Sequence, residues 1–315
     1  PPFSTVQASA VDRDESDDYF LNVSGFLTPP SLLLGRVGQT PETLKQQPAF
    51  FDASGLEVSQ HFATSKDGTR VPYFQVAPKG MALDGARPTL LYGYGGFEVS
   101  LTPGYSGSVG RGWLSQGGVY VVANIRGGGE YGPRWHQAAL KQHRLRAYED
   151  FAAVAEHLVA RKVTSPRHLG IEGGSNGGLL VGNMLTLYPQ LFGAVVCQVP
   201  LLDMQRYSKL LAGASWMAEY GDPDVAEQWE FIRTFSPFHT VKKDAKYPPV
   251  LFTTSTRDDR VHPGHARRMM AKMAEMGHDV RYYENVEGGH GGSANNQQAA
   301  YMDALAYMFL AKTLK

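Results

Sequence analysis

Cysteine is almost missing from this chain: the 315 residues hold one, Cys197. No disulfide framework is available within the chain, and a thiol in the apolar run 194–199 reads as a small buried hydrophobe. Net charge is missing as well. Thirty Lys and Arg balance thirty Asp and Glu, with no basic run, so nucleic acid and anionic membrane surfaces are not the expected partners. No apolar run approaches the ~20 residues that a membrane-spanning helix needs. The sequence opens Pro1-Pro2-Phe3, without an initiator methionine or a charged-then-apolar leader. The expectation is a soluble, cytoplasmic piece of a longer precursor. Glycine and histidine, by contrast, are plentiful at 35 and 10 residues, and they supply turns and acid–base groups.

Along the chain the texture changes near residue 48. Before it come an acidic patch (Asp12, Asp14, Glu15, Asp17, Asp18), then 19–23, Pro29-Pro30 and Leu32-Leu33-Leu34. This pattern predicts short strands and turns with too little apolar surface to fold alone, so the piece needs a partner sheet. From Leu56 the pattern is regular. Strands are expected at 56–63 and 71–77, with a hairpin signal at Lys66-Asp67-Gly68, and then at 89–92, at 119–125, from the short apolar run Leu169 and Ile171, and at 194–199, 250–254 and 280–283. Helical periods separate them, notably Phe151, Val154, Ala155 and Leu158, a stretch near 263–276, and 295–314 with Tyr301, Leu305, Met308 and Phe309 as its expected core face. Such alternation predicts an α/β fold built on a mostly parallel sheet covered on both faces, with residues 49–315 as one domain and residues 1–48 as an appendage. Ligands of such sheets gather at the carboxyl ends of the strands. The glycine-rich loops 93–97, 126–129 and 173–178 all fall at such ends.

Gly173-Gly174-Ser175-Asn176-Gly177 fits the G-x-S-x-G elbow, in which a serine sits in a strained strand-to-helix turn. A serine hydroxyl is a weak nucleophile until a base takes its proton and an acid orients that base. In this arrangement the chain order is Ser, then Asp or Glu, then His. Asp258 and Asp259 follow one later strand, and His290, flanked by glycines 288, 289, 291 and 292, follows the next. Spacing does not separate the two aspartates, and Asp203 comes too early in the strand order. His157 and His168 read as surface or capping residues. His262 and His265 lack any further ligand motif, so no metal is expected.

The segments LYGYGGF (91–97), ANIRGGGEYG (123–132), GGSNGGLLV (173–181), DDRV (258–261) and GHG (289–291) together resemble the catalytic domain of the prolyl oligopeptidase family of serine peptidases. The resemblance covers about residues 50–315. It implies an α/β-hydrolase fold joined to a seven-bladed β-propeller, with residues 1–48 as the end of the last blade and the rest of the propeller as the missing partner. It implies Ser175 as nucleophile, Asp258 as orienting acid and His290 as base. The oxyanion hole would come from the Asn176 N–H and the Tyr94 hydroxyl, and Arg260 would bind a substrate carbonyl. Phe97, Trp216, Tyr220, Val261 and Leu201 would surround a proline ring. One departure stands out: Val199-Pro200-Leu201 occupies the place where the prolyl enzymes carry Val-Gly-Val, which makes that wall bulkier and stiffer. The implied activity is cleavage of short peptides after proline, with no cofactor and no metal. An esterase of the same fold and a catalytically idle interaction domain are the alternatives.

Overall fold

The computed structural model describes residues 2–314. Pro1, which opens the expected appendage, and Lys315, which closes the expected catalytic domain, lie outside the described residues. The chain begins with a four-stranded antiparallel meander: β1 (Ser4–Ala10), β2 (Asp18–Gly25), β3 (Ser31–Arg36) and β4 (Glu42–Gln46), in that order across the sheet. The acidic patch forms the exposed β1–β2 turn. A partner for this sheet is present within the chain. Phe26 is buried with Val76, Leu114 and Val122, and the rings of Phe3 and Phe26 lie 5.8 and 5.5 Å from that of Phe74.

The second sheet has eight strands: β5 (Leu56–Thr64), β6 (Arg70–Pro78), β7 (Thr89–Tyr92), β8 (Val119–Ala123), β9 (Leu169–Gly174), β10 (Ala194–Gln198), β11 (Val250–Ser255) and β12 (Val280–Asn285). Their spatial order is β12-β11-β10-β9-β7-β8-β6-β5. Pairing is parallel from β8 through β12, while the β5–β6 hairpin joins antiparallel at the other edge. Nine helices are described: α1 (Gly107–Gly112), α2 (Pro133–Gln137), α3 (Leu145–Ala160), α4 (Asn176–Leu187), α5 (Met217–Tyr220), α6 (Ala226–Ile232), α7 (Pro237–Thr240), α8 (Gly264–Glu275) and α9 (Asn296–Thr313). None is long and apolar enough to cross a membrane. The inner parallel strands β7–β11 are mostly buried, as a sheet covered on both faces requires, whereas the edge strand β12 is largely half-buried. Ile171 and Val195 face the core with α3 and α4, while Leu90 and Val196 face Trp113 and α9. After β7 the chain first adds β8 on one side and then crosses back to add β9 on the other, which opens a crevice at the carboxyl ends of β7 and β9.

The expected core face of α9 holds at Phe309, which is buried, and at Leu305, which packs half-buried against the core, and is corrected at Tyr301 and Met308. Met302, Ala306, Phe309 and Leu310 are buried, whereas Tyr301 and Met308 are 55% and 57% exposed. The stripes 301/305/308 and 302/306/309 are adjacent and both apolar, so helical spacing alone did not choose between them. Cys197 is buried as expected, and its Sγ donates to the Gly178 carbonyl.

Glu172 is the anomaly of β9. It alternates with Ile171 onto the α9 face, opposite Tyr92 of β7. Burial pushes its carboxyl up from 4.5 to about 7, and Asp303 adds to the shift. Because the folded value lies above the unfolded one, the native state holds the extra proton between roughly pH 4.5 and 7. Stability is full below that window, falls through it as pH rises, and levels off above it, by on the order of 3 kcal/mol. Glu172→Gln keeps the shape and cannot ionise. Urea unfolding at pH 5 and pH 8 should show the variant close to the parent at the lower pH and more stable at the higher. An unchanged difference between the two pH values would remove Glu172 as the cause.

Candidate active site

Ser175 sits between β9 and α4 with φ 60° and ψ −116°, a conformation that non-glycine residues rarely hold. Two close approaches force it. A Cβ on Gly173 would stand 2.3 Å from the Gly177 carbonyl oxygen, and one on Gly177 would stand 2.8 Å from that of Gly93. Only bare backbone lets strand, turn and helix pack this tightly. The Ser175 N–H donates to the Gln198 carbonyl at 2.9 Å, which ties the turn to β10.

A cavity of about 200 Å³ opens over this turn, lined by Tyr94, Phe97, Ser175, Leu201, Trp216, Tyr220, Arg260 and His290. His290 Nδ1 lies 2.8 and 2.9 Å from the carboxylate oxygens of Asp258. That carboxylate is buried, and its Oδ1 also accepts the backbone N–H groups of Arg260 and Val261 at 2.9 Å. With Nδ1 engaged by an acceptor, Nε2 is the nitrogen free to take a proton. The alternatives left open by spacing separate here. Asp259 is exposed, and Asp203 pairs with Arg206 and Arg268 at 3.1 and 3.2 Å. Burial pushes the Tyr94 hydroxyl up, whereas Arg144, the Ser175 hydroxyl and Arg260 pull it down.

Val261 does not reach the cavity. Its side chain is buried in the core, and only its backbone serves the site, by donating to Asp258. Following Asp258 by three residues, it lies in the turn that wraps the carboxylate, which points its side chain inward. Leu201 reaches the cavity through a strained approach: Val199 has φ 36° immediately before Pro200, against the extended preference of both β-branched and pre-proline residues. Neither histidine set aside at 262 and 265 is free. His265 Nδ1 accepts from the Leu202 and Asp203 N–H groups, and burial lowers its pKa to about 4. His262 Nδ1 accepts from Gly264. Among the described residues, no group of three potential metal ligands lies together.

Beneath the cavity lies a buried network that the motifs did not announce. Glu219 Oε1 accepts from Arg144 Nη1 at 2.7 Å and from the Phe97 N–H at 3.0 Å, and its Oε2 lies 2.7 Å from His136 Nε2. Arg144 Nη2 donates to Asn176 Oδ1, which also accepts from the Tyr220 hydroxyl at 2.7 Å. Asn176 Nδ2 donates to the Tyr94 carbonyl at 2.6 Å. Arg144 sits in the mixed segment Lys141-Gln142-His143-Arg144-Leu145-Arg146, whose polar residues read as a solvated surface, yet its side chain is 1% exposed. The one available signal was Glu219, a lone carboxylate among the aromatic residues of 216–220.

Known proteins resemble this chain over most of its length. A family model described as the prolyl oligopeptidase family matches residues 108–315. An uncharacterized peptidase of Sinorhizobium fredii is 52% identical over 316 residues, covering 100% of this chain and 43% of the relative. A prolyl endopeptidase of Elizabethkingia miricola is 36% identical, covering 96% of this chain and 44% of the relative. A solved post-proline cleaving enzyme from Rickettsia typhi superposes with a TM-score of 0.93 at 39% identity, over 99% of this chain and 45% of that one. The chain thus spans less than half the length of the relatives it matches.

Removing one member of a buried ion pair strands the other. Glu219→Ala should therefore lower stability by about 3–5 kcal/mol, read as a fall in the unfolding midpoint. A change under about 1 kcal/mol would mean that Arg144 finds another partner.

Proposed function

The chain belongs to the prolyl oligopeptidase family of serine peptidases, and from that premise we propose that it cleaves short peptides on the carboxyl side of proline through an acyl-enzyme on Ser175. The observation that carries the reading is the single cavity on which Ser175, His290, Tyr94 and Arg260 all open, with Asp258 bonded behind His290. Ser175 Oγ attacks the scissile carbonyl carbon while its proton passes to His290 Nε2, and Asp258 stabilises the imidazolium that results. The tetrahedral oxyanion accepts hydrogen bonds from the Tyr94 hydroxyl and from the Asn176 N–H, which at the first turn of α4 has no intrahelical acceptor. His290 then hands its proton to the departing amine. Water completes the cycle by the same route in reverse. Arg260 donates to the carbonyl one residue before the scissile position, a contact that a simple ester would not need, and this favours a peptide over an ester as substrate.

Proline preference is supported by the walls. Phe97 and Tyr220 meet edge to face at 5.6 Å, Trp216 offers a flat indole, and Leu201 closes the side. No carboxylate lines the cavity among the described residues. The nearby Glu219 already carries Arg144 and His136, so a substrate cation finds no counter-charge. The rest of the proposed peptidase, including a propeller to which β1–β4 would belong, is part of the same reading.

Ser175→Ala should abolish turnover, and Tyr94→Phe should slow it about 10²–10³-fold with the fold intact, the usual loss for one oxyanion donor. Steady-state kinetics on a prolyl anilide peptide checks both, and near-parental rates in Tyr94→Phe would take Tyr94 out of the hole. Across a substrate series, proline should lead, with alanine nearest because a missing ring in an apolar pocket costs only ~1–3 kcal/mol. Arginine and lysine should trail. A higher kcat/KM after arginine would move the chain to the basic-specific branch of the family.

A further inference from the structure

Arg144 does not line the cavity, yet the inward hydrogen bonds of Tyr94, Phe97 and Tyr220 on its wall lead to the two partners of this guanidinium, Asn176 and Glu219. One nitrogen of its guanidinium donates to Glu219 and another to Asn176. Glu219 in turn accepts the Phe97 N–H, which fixes two consecutive left-handed residues, Phe97 at φ 55° and Glu98 at φ 57°. Asn176 holds the Tyr94 carbonyl on one side and the Tyr220 hydroxyl on the other. The Arg144 charge also lies 5.1 Å from the centre of the Tyr220 ring. One buried cation thus joins five segments: the loop after β7, α2 through His136, the start of α3, the first residue of α4, and α5.

Burying an ion pair is poor economy for stability alone, because a packed apolar substitute is often as good or better. A bifurcated donor that reaches a carboxylate and a carboxamide at once is a task for a planar guanidinium, which an ammonium at the same place does not reproduce. We propose that Arg144 is a positioning residue of the oxyanion hole: it holds the Asn176 carboxamide, and through it the Tyr94 backbone, so that the Tyr94 hydroxyl and the Asn176 N–H converge on one point. This rests on the assignment of Tyr94 and Asn176 to the hole made above. Electrostatics works in the same direction. After burial, which pushes the Tyr94 hydroxyl up, Arg144 is the largest influence on it and pulls it down, ahead of Ser175 and Arg260. The charge makes that hydroxyl a stronger donor where negative charge develops.

The test is a double-mutant cycle on the intact protein, combining Arg144→Lys with Tyr94→Phe. Arg144→Lys retains a charge but loses the fork. It should lower kcat about 10²-fold, the scale of an ångström of misplacement, while KM on a prolyl anilide peptide moves by less than about threefold. In the Tyr94→Phe background the same change should cost clearly less than its 10²-fold, about tenfold, since only the Asn176 N–H is then left to be misplaced. A peptidyl prolinal, whose hemiacetal oxygen occupies the hole, should lose affinity in step with kcat/KM, and a prolyl pyrrolidide, which forms no such oxygen, should keep its Kd. Rate losses that multiply in full, or a Kd loss equal for the two inhibitors, would overturn the inference and leave Tyr94 in the hole. Tyr94→Phe without any rate loss would overturn the hole assignment and this inference with it. Should Arg144→Lys fail to fold, Glu219→Gln, which keeps the hydrogen-bonding shape and discharges the partner, is judged by the same non-additivity.

Discussion

The distance between β9 and α4 is the constraint from which the site follows. Gly173 has no room for a Cβ against Gly177, nor Gly177 against Gly93, and the residue between strand and helix is driven to φ 60°. A serine held there projects out of the sheet at the carboxyl end of a central strand, where the crevice between β7 and β9 already lies open. Strain of this kind costs on the order of 1–3 kcal/mol and persists only where the surroundings over-determine it. Here the surroundings are the Gln198 carbonyl on one side and the first turn of α4 on the other. The backbone that strains the serine also frees the Asn176 N–H, since the first amides of a helix have no intrahelical acceptor.

The loops around that turn are held by buried arginines. Arg126, after β8, places Nε and Nη2 on Asp150 at 2.9 and 2.7 Å and Nη1 and Nη2 on Asp67 at 2.6 and 3.2 Å, which pins the glycine-rich loop to α3 and to the β5–β6 turn. Arg144 does the same for the loop after β7 and for α5. Apolar contacts alone would let such glycine-rich segments slide, because glycine offers no side chain to interlock. A planar fork with fixed donor directions supplies the missing register. Glu172 shows the opposite case. No ion pair reaches it among the described residues, and burial moves its carboxyl toward neutrality instead.

The parts of this molecule that were legible in the sequence are those with local causes. The strands announce themselves as short apolar runs, the elbow as spaced glycines around a serine, and the acid and base as polar residues placed just past strand ends. Asp258 against Asp259 was not legible by spacing, because adjacent residues differ only in which way a turn points them. In the structure Asp258 is turned in by the N–H groups of Arg260 and Val261. The same turn buries Val261, which the family resemblance had put on the cavity wall. Arg144 and Glu219 were illegible for a different reason. The partners of Arg144 lie 75 and 32 residues away along the chain, and an arginine among neighbouring polar residues carries no sign that it alone points inward.

That hidden pair also bears on what the cavity can hold. A carboxylate next to an aromatic cavity would ordinarily attract a cationic side chain, and Glu219 lies next to Tyr220 and bonds the backbone of Phe97. Its charge is already met by Arg144 at 2.7 Å, and its second oxygen is engaged by His136 at 2.7 Å. A lysine or arginine entering from the cavity would have to displace a buried guanidinium that has no other carboxylate within reach among the described contacts, and each ion so unpaired costs several kcal/mol. An uncharged ring needs no such exchange. It gives up little hydration and gains contact with Phe97, Trp216, Tyr220 and Leu201. On the proposed function, the residues that would hold the oxyanion donors in register are the same ones that leave the cavity without a free carboxylate, so geometry for catalysis and selection against cations would rest on one ion pair.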